Sequence, residues 1–217
     1  MAEPVKRVRS YDSSRRREQA QATQRAVLQA AHDLFAEQGY GRTTIADIAR
    51  AAGVSAETIY ATFRNKAALL HRVWDVTIGG DDRDVVFHER PEIQAMTREP
   101  DLAKRFGMQA RFLTATARRI SPFLLAVQGA AASEPAAADM LAEIGRQRLA
   151  GLSVMARAAA KTGQLAVSEE QCRDFVWATT DGMLWHRLVV ERGWTDEQFA
   201  QWLARMWVQM LVRQNAD

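Results

Sequence analysis

The 217-residue sequence predicts an all-α protein: a small three-helix head followed by a larger helical domain. Three observations predict it. Ala, Leu, Arg and Gln are abundant, while the chain holds only three tyrosines and five prolines, a balance that favours helix over sheet. Apolar residues recur three and four positions apart through most of the chain. The ends of these periodic stretches carry helix-capping patterns.

With 47% hydrophobic and 25% charged residues, the chain is long enough to bury a core without covalent staples. The single cysteine, Cys172, excludes an internal disulfide. Met1–Ser10 carries charges with no apolar run behind them, unlike a secretory leader. No stretch of about 18 apolar residues is present. These features lead us to expect a cytoplasmic protein with no membrane partner. Charge is uneven: residues 1–70 hold 11 Lys and Arg against 7 Asp and Glu, although the net charge of the chain is only +3. Lys6, Arg7, Arg9, Arg15, Arg16 and Arg17 crowd the N-terminal end. Such a field suits a polyanion, and equally describes a solvated tail.

Residues 1–20 lack apolar periodicity and read as a flexible basic arm. From Gln21 the pattern is helical, with Val27, Ala30, Ala31, Leu34 and Phe35 on one face and Gly39 as a stop. Thr44 precedes a two-turn helix bearing Ile45, Ile48, Ala49 and Ala52, with Asp47 placed to complete a capping box. After Gly53, Ser55 caps a third helix, and Val54 and Ile59 have the spacing of a hydrophobic staple. A fourth helix opens at Asn65-Lys66. The Gly79–Asp84 stretch is turn-rich and marks the domain boundary, giving a head over 21–81 and a second domain over 82–217. Residues 85–100 read as irregular or as short helical pieces. Helices are then expected at 101–119, 121–131, 134–162, 168–191 and 196–213. Ser168 with Gln171 and Thr195 with Gln198 form capping boxes, and Trp194 with Phe199 a staple.

Residues 44–63 carry the functional signal. Two short helices joined by a tight glycine turn form a helix-turn-helix, whose second helix can enter the major groove of DNA. Ile45, Ile48, Ala49, Val54, Ile59 and Phe63 can build a core with the first helix, leaving the opposite face of the second helix to approach base edges. A helical hairpin in an ordinary core would show the same turn.

Gly39–Thr44, Ile48-Ala49, Ala52–Ser55, Thr58–Tyr60, Phe63 and the Lys66-x-x-Leu69-Leu70 pattern together resemble the DNA-binding domain of the tetracycline-repressor (TetR) family. The resemblance covers about residues 21–70 without a gap. It implies that Thr44 holds a phosphate, with Arg42 and Thr43 as neighbours. It implies that Ser55 caps the recognition helix and reaches DNA, and that Ala56, Glu57 and Ala61 lie on its base-reading face. Tyr60 would contact a phosphate, and Lys66 would clamp the DNA backbone. This recognition helix lacks long cationic side chains, so bidentate arginine-to-guanine readout is not offered from it. Glu57 could accept from cytosine N4 or simply complement the helix dipole, and Ala56, Ala61 and Thr62 could touch thymine methyls.

The second domain, by the same resemblance, holds a small-molecule pocket and a dimer interface built from the last two long helices. Five of the six tryptophans lie between Trp177 and Trp207. Phe199, Trp202, Met206, Trp207 and Met210 form a wide apolar stripe, with Gly182 on the preceding helix allowing close approach. Packing within one subunit would use the same stripe. Pocket candidates are Phe106, Phe112, Phe123, Met155, Trp177, Asp181 and His186, for each of which core packing is the plainer role.

An enzyme is not expected. His32, His71, His88 and His186 have no metal-binding spacing, and neither a phosphate-cradling glycine loop nor a nucleophile elbow is present. No cofactor is expected. The sequence thus predicts a homodimeric transcriptional regulator, a repressor by resemblance, with palindromic double-stranded DNA and a small-molecule effector as partners. A helical small-molecule-binding protein that no longer reads an operator is the alternative.

Overall fold

The structure is a computed structural model that describes residues 11–79 and 91–214. Among these residues ten helices follow one another, and the only extended pairing is a single antiparallel bridge between Leu165 and Val212. They are α1 (Tyr11–Gln38), α2 (Ile45–Ala52), α3 (Ala56–Phe63), α4 (Lys66–Gly79), α5 (Pro91–Arg98), α6 (Leu102–Ala130), α7 (Pro135–Ala160), α8 (Glu169–Thr179), α9 and α10 (Asp196–Leu211). Helix α9 is one α turn, Met183–Trp185, running into a π-helical stretch, His186–Glu191. Two compact units result, the first ending at Val73 and the second beginning at Trp74, so their division falls inside α4. From Gly80 onward the expected turn-rich break lies outside the described residues, as do Lys6, Arg7 and Arg9 of the arm.

In the first unit α1 packs on α2 and α2 on α3, and Val27, Ala31 and Phe35 of α1, Ile48 and Ala49 of α2, Ile59 and Phe63 of α3, and Leu69 and Leu70 of α4 are all buried. Burying each large side chain contributes about 1.5–3 kcal/mol. Helix α1 starts at Tyr11, well before its apolar face begins. Residues 15–22 are exposed throughout, so burial does not explain helix there. Arg, Glu, Gln and Ala are good helix formers, and a helix already nucleated at Val27–Gln38 extends at little further cost.

In the second unit, α6 packs along α10 and α7 along α8. Leu102, Phe106 and Ala110 of α6, Ala156 and Ala159 of α7, Cys172 and Val176 of α8, and Leu203, Trp207 and Leu211 of α10 form one buried cluster. Its polar atoms are paired: Trp207 Nε1 donates to Thr179 Oγ1 at 3.0 Å, and Trp185 Nε1 to Asp196 Oδ1 at 2.8 Å. The buried Arg105 donates to the carbonyls of Glu99 and Ala158, which ties the start of α6 to the end of α7.

Two expected helix ends differ. Residues 101–119 and 121–131 form one helix, with Pro122 inside it. Proline removes the N–H that the Arg118 carbonyl would accept, but Ile120, Phe123, Leu124 and Val127 are buried on either side and hold the helix together. The helix expected over 168–191 is instead broken at Thr180–Gly182. Gly182 has φ 86°, a left-handed conformation that side chains disfavour, and a Cβ there would lie 3.7 Å from Ile120 Cγ1 and Leu124 Cδ1 of α6. Gly182 is thus buried against α6 of its own chain, with ordinary room for a Cβ, and what requires glycine there is the left-handed backbone.

Candidate functional site

Helices α2 and α3 are held by their caps. Thr44 Oγ1 accepts from Asp47 N at 3.1 Å, and Thr44 N donates to Asp47 Oδ2 at 3.1 Å, completing the capping box. The Thr44 hydroxyl also donates to Asp47 Oδ2 at 2.6 Å. These bonds from Thr44, with Arg50 nearby, hold the Asp47 carboxyl below the usual carboxylate range. Gly53, φ 68°, ends α2 and lets Val54 N return to Ala49 O at 3.0 Å. Ser55 Oγ then accepts from Thr58 N at 3.3 Å and opens α3.

Helix α3 is two-faced. Ile59 and Phe63 are buried, while Glu57, Tyr60, Ala61 and Thr62 are exposed and Ala56 is half-buried. Tyr60 stands 52% exposed, an unusual setting for a large ring and one that leaves its hydroxyl available. Thr62 Oγ1 donates to Thr58 O at 2.9 Å. Glu57 is held below its usual pKa by N–H donation from its own backbone and by the Ser55 hydroxyl, which keeps it an anion at the start of the helix. Thr44 and Ser55 thus stand exposed at the starts of α2 and α3, with Ala56 and Glu57 in the first turn of α3 and Tyr60, Ala61 and Thr62 in its last.

Three neighbours behave differently from one another. Arg42 is exposed, with Nε donating to Gln38 O at 2.7 Å. Thr43 is fully buried, and its hydroxyl donates to Gly39 O at 2.9 Å and Leu34 O at 3.2 Å. It cannot face a phosphate, because its side chain fixes the turn from beneath; Thr43 is corrected from a contact to a positioning residue. Lys66 is also turned inward. Its Nζ donates to Tyr40 O at 2.8 Å and Thr43 O at 3.0 Å and lies 4.1 Å from the centre of the Tyr40 ring. Sequence spacing identifies a lysine at the start of α4 but not the carbonyls 23 and 26 residues earlier that it ties down.

One exposed residue carries no sequence signal. Arg64 follows α3 with φ 66° and ψ −49°, and Asn65 N returns to Phe63 O at 2.8 Å. This γ-turn, strained for a non-glycine residue, redirects the chain from α3 into α4. Composition does not mark it, since arginine has no turn preference.

In the second unit the seven pocket candidates do not converge. Phe106 is fully buried with its ring edge-on to Trp207, and Phe123, also buried, stacks on Trp74. Phe112 and Met155 are half-buried. Trp177 is 41% exposed, with the Arg148 guanidinium over its ring and donating to its carbonyl at 2.7 Å. Asp181 accepts from Met183 N at 2.9 Å within the helix break. His186 lies 3.7 Å from Glu191. An interior void of about 10 Å³ between Ala117, Gly182, Trp185 and Leu203 contains none of the seven, and neither does a surface depression of about 300 Å³ between α6 and α10.

The interface stripe divides as well. Phe199 and Trp207 are buried inside the chain and are corrected to core residues, whereas Trp202 and Met206 are half-buried and Met210 is 56% exposed. A helix with apolar residues on both faces shows this division only once its inner neighbours are in place.

Residues 27–73 match the model of the bacterial regulatory proteins, tetR family. The HTH-type transcriptional regulator TtgR of Pseudomonas putida is 44% identical over 61 residues, which span 28% of this chain and 29% of that protein. The alignment thus spans well under two thirds of its curated relative's length. Among solved structures, NalD, the secondary repressor of the MexAB-OprM multidrug efflux pump in Pseudomonas aeruginosa, superposes with a TM-score of 0.64 at 20% identity, covering 90% of this chain and 99% of NalD. The SmeT–triclosan complex gives 0.65 at 21% identity, covering 89% and 93%. At these identities the structures establish the shared fold. The matching family and the curated relative are transcriptional regulators, not enzymes. Through residues 27–73, the head that carries α2 and α3, the chain matches the tetR family of bacterial regulatory proteins.

Proposed function

We propose that the chain is a sequence-specific DNA-binding transcriptional regulator that acts in the cytoplasm as a homodimeric repressor. In this reading residues 21–81 bind DNA, residues 82–217 bind effector and partner, and a small-molecule effector releases a palindromic operator. The observation that carries it is the exposed Glu57, Tyr60, Ala61 and Thr62 face of α3, held rigid by a buried opposite face and two helix caps. It lies within the segment that matches the tetR family. Arg42, Thr44, Ser55 and Tyr60 would engage phosphates and position the head, while Ala56, Glu57, Ala61 and Thr62 would read bases.

A two-fold dimer would present two such heads to half-sites a whole number of helical turns apart. Trp202, Met206 and Met210 remain accessible for that contact. NalD is a repressor and SmeT binds triclosan, which supports the same design here. Phe106 and Phe123 are buried against Trp207 and Trp74, so an effector that reached them would have to bind a rearranged core. It would shift the population away from the DNA-binding state only through its preference for that rearranged core. Helix α4, which carries Lys66 in the first unit and Trp74 in the second, would transmit the change.

The test is selection of bound duplexes from random DNA by the purified protein, with Tyr60→Ala as control. A palindromic consensus that the control loses is expected. A folded protein that enriches no sequence would overturn the reading and favour the small-molecule carrier.

A further inference from the structure

The recognition helix is poor in positive charge. Among residues 55–63, Glu57 is the one ionised side chain, so α3 brings a negative charge to a polyanion. Arginines are concentrated elsewhere in the same unit, on the first turns of α1. Arg15, Arg16 and Arg17 are all exposed, and no residue from 15 to 26 is buried. Consecutive residues are about 100° apart around a helix, so the three guanidiniums cover more than half its circumference. Arg15 stands twelve positions before Val27, which places its charge about 18 Å along the axis beyond the first buried residue.

That arrangement fits a phosphate backbone better than it fits folding. A helical stretch exposed throughout residues 15–22 gains little from packing. Against DNA, each phosphate that such a side chain neutralises releases condensed counterions. Resting on the DNA-binding reading above, we propose that the exposed N-terminal turns of α1 form a second nucleic-acid contact surface, in which Arg15, Arg16 and Arg17 bind phosphates outside the segment read by α3. This surface carries affinity without sequence preference, and α3 supplies preference with little electrostatic affinity.

The experiment compares the full-length wild-type protein with R15Q/R16Q/R17Q on the selected duplex, measuring Kd across salt concentrations. Glutamine keeps helix propensity while removing charge. A second triple variant, R111Q/R187Q/R192Q, removes the same charge from exposed positions of the second unit. The slope of log affinity against log salt is expected to become shallower by about 0.9 for each phosphate that is no longer neutralised, or up to about 2.7 per protomer. Between 50 and 200 mM salt, wild-type affinity would then fall up to about 40-fold further than that of the α1 variant for each protomer engaged, while the second variant follows wild type and both keep the selected consensus. An unchanged slope in the α1 variant, or an equal change in both variants, overturns the inference and leaves the DNA-binding reading standing. Failure of the wild-type protein to bind any duplex overturns that reading and the inference with it.

Discussion

Lys66→Met separates two roles for one side chain. Sequence resemblance gives Lys66 to the DNA backbone, whereas the structure commits its ammonium to Tyr40 O and Thr43 O at 2.8 and 3.0 Å. Methionine keeps the length of the stem and removes the donor. Two charge-assisted hydrogen bonds contribute about 1.5–3 kcal/mol each when shielded, and an ammonium over an aromatic ring adds about 0.5–1 kcal/mol at accessible sites. Lys66 is half-buried, so water can replace part of what the substitution removes. A destabilisation of about 2–3 kcal/mol, below the shielded sum of about 3.5–7 kcal/mol, is expected. Urea unfolding followed by far-UV circular dichroism gives the magnitude. Hydrogen exchange of peptides covering residues 34–48 shows whether the effect is local to the α1–α2 turn. Binding to the selected duplex should weaken with its salt slope unchanged, because every phosphate engaged by the wild type stays engaged. Stability equal to wild type together with a slope shallower by about 0.9 per protomer would refute the internal role and restore the phosphate clamp.

Three further outcomes follow from the same structure. Asp47→Ala should lower stability at neutral pH. The Asp47 carboxyl is depressed in the folded state, so its contribution is complete above the unfolded value of about 3.9 and is lost as pH falls through the folded value. Urea midpoints of variant and wild type should therefore converge as pH falls below the folded value, and a difference that persists in acid would be inconsistent with this origin. Gly182→Ala should cost about 1–2 kcal/mol, because the left-handed backbone disfavours a side chain while the nearest atoms leave ordinary room for a Cβ. A thermal midpoint equal to wild type would contradict it. Trp207→Ala should cost about 3–5 kcal/mol of fold stability, whereas Met210→Ser should leave stability within about 0.5 kcal/mol and weaken self-association. Denaturation and sedimentation on both variants test the pair, and the reverse pattern would exchange core and interface.

Local signals in the sequence determined a good deal. Capping at Thr44 and Asp47, the Gly53 turn, the Ser55 cap and the alternation of Ile59 and Phe63 with Glu57 and Tyr60 all depend on neighbours within four residues. Each is therefore legible in the order of residues alone. The helical class of the second unit followed from the same local periodicity. What tertiary structure decided was partnership at a distance. Thr43 and Lys66 read as polar groups available to DNA until the carbonyls of Leu34, Gly39 and Tyr40 are folded against them. Burial on both sides carries α6 through Pro122, while a left-handed backbone at Gly182 accompanies the break in the expected 168–191 helix. Phe199 and Trp207 look like Met210 in a helical pattern, and only the positions of α6 and α8 show which of them lie inside. Periodicity specifies that a face is apolar; the identity of what covers that face is a property of the assembled fold.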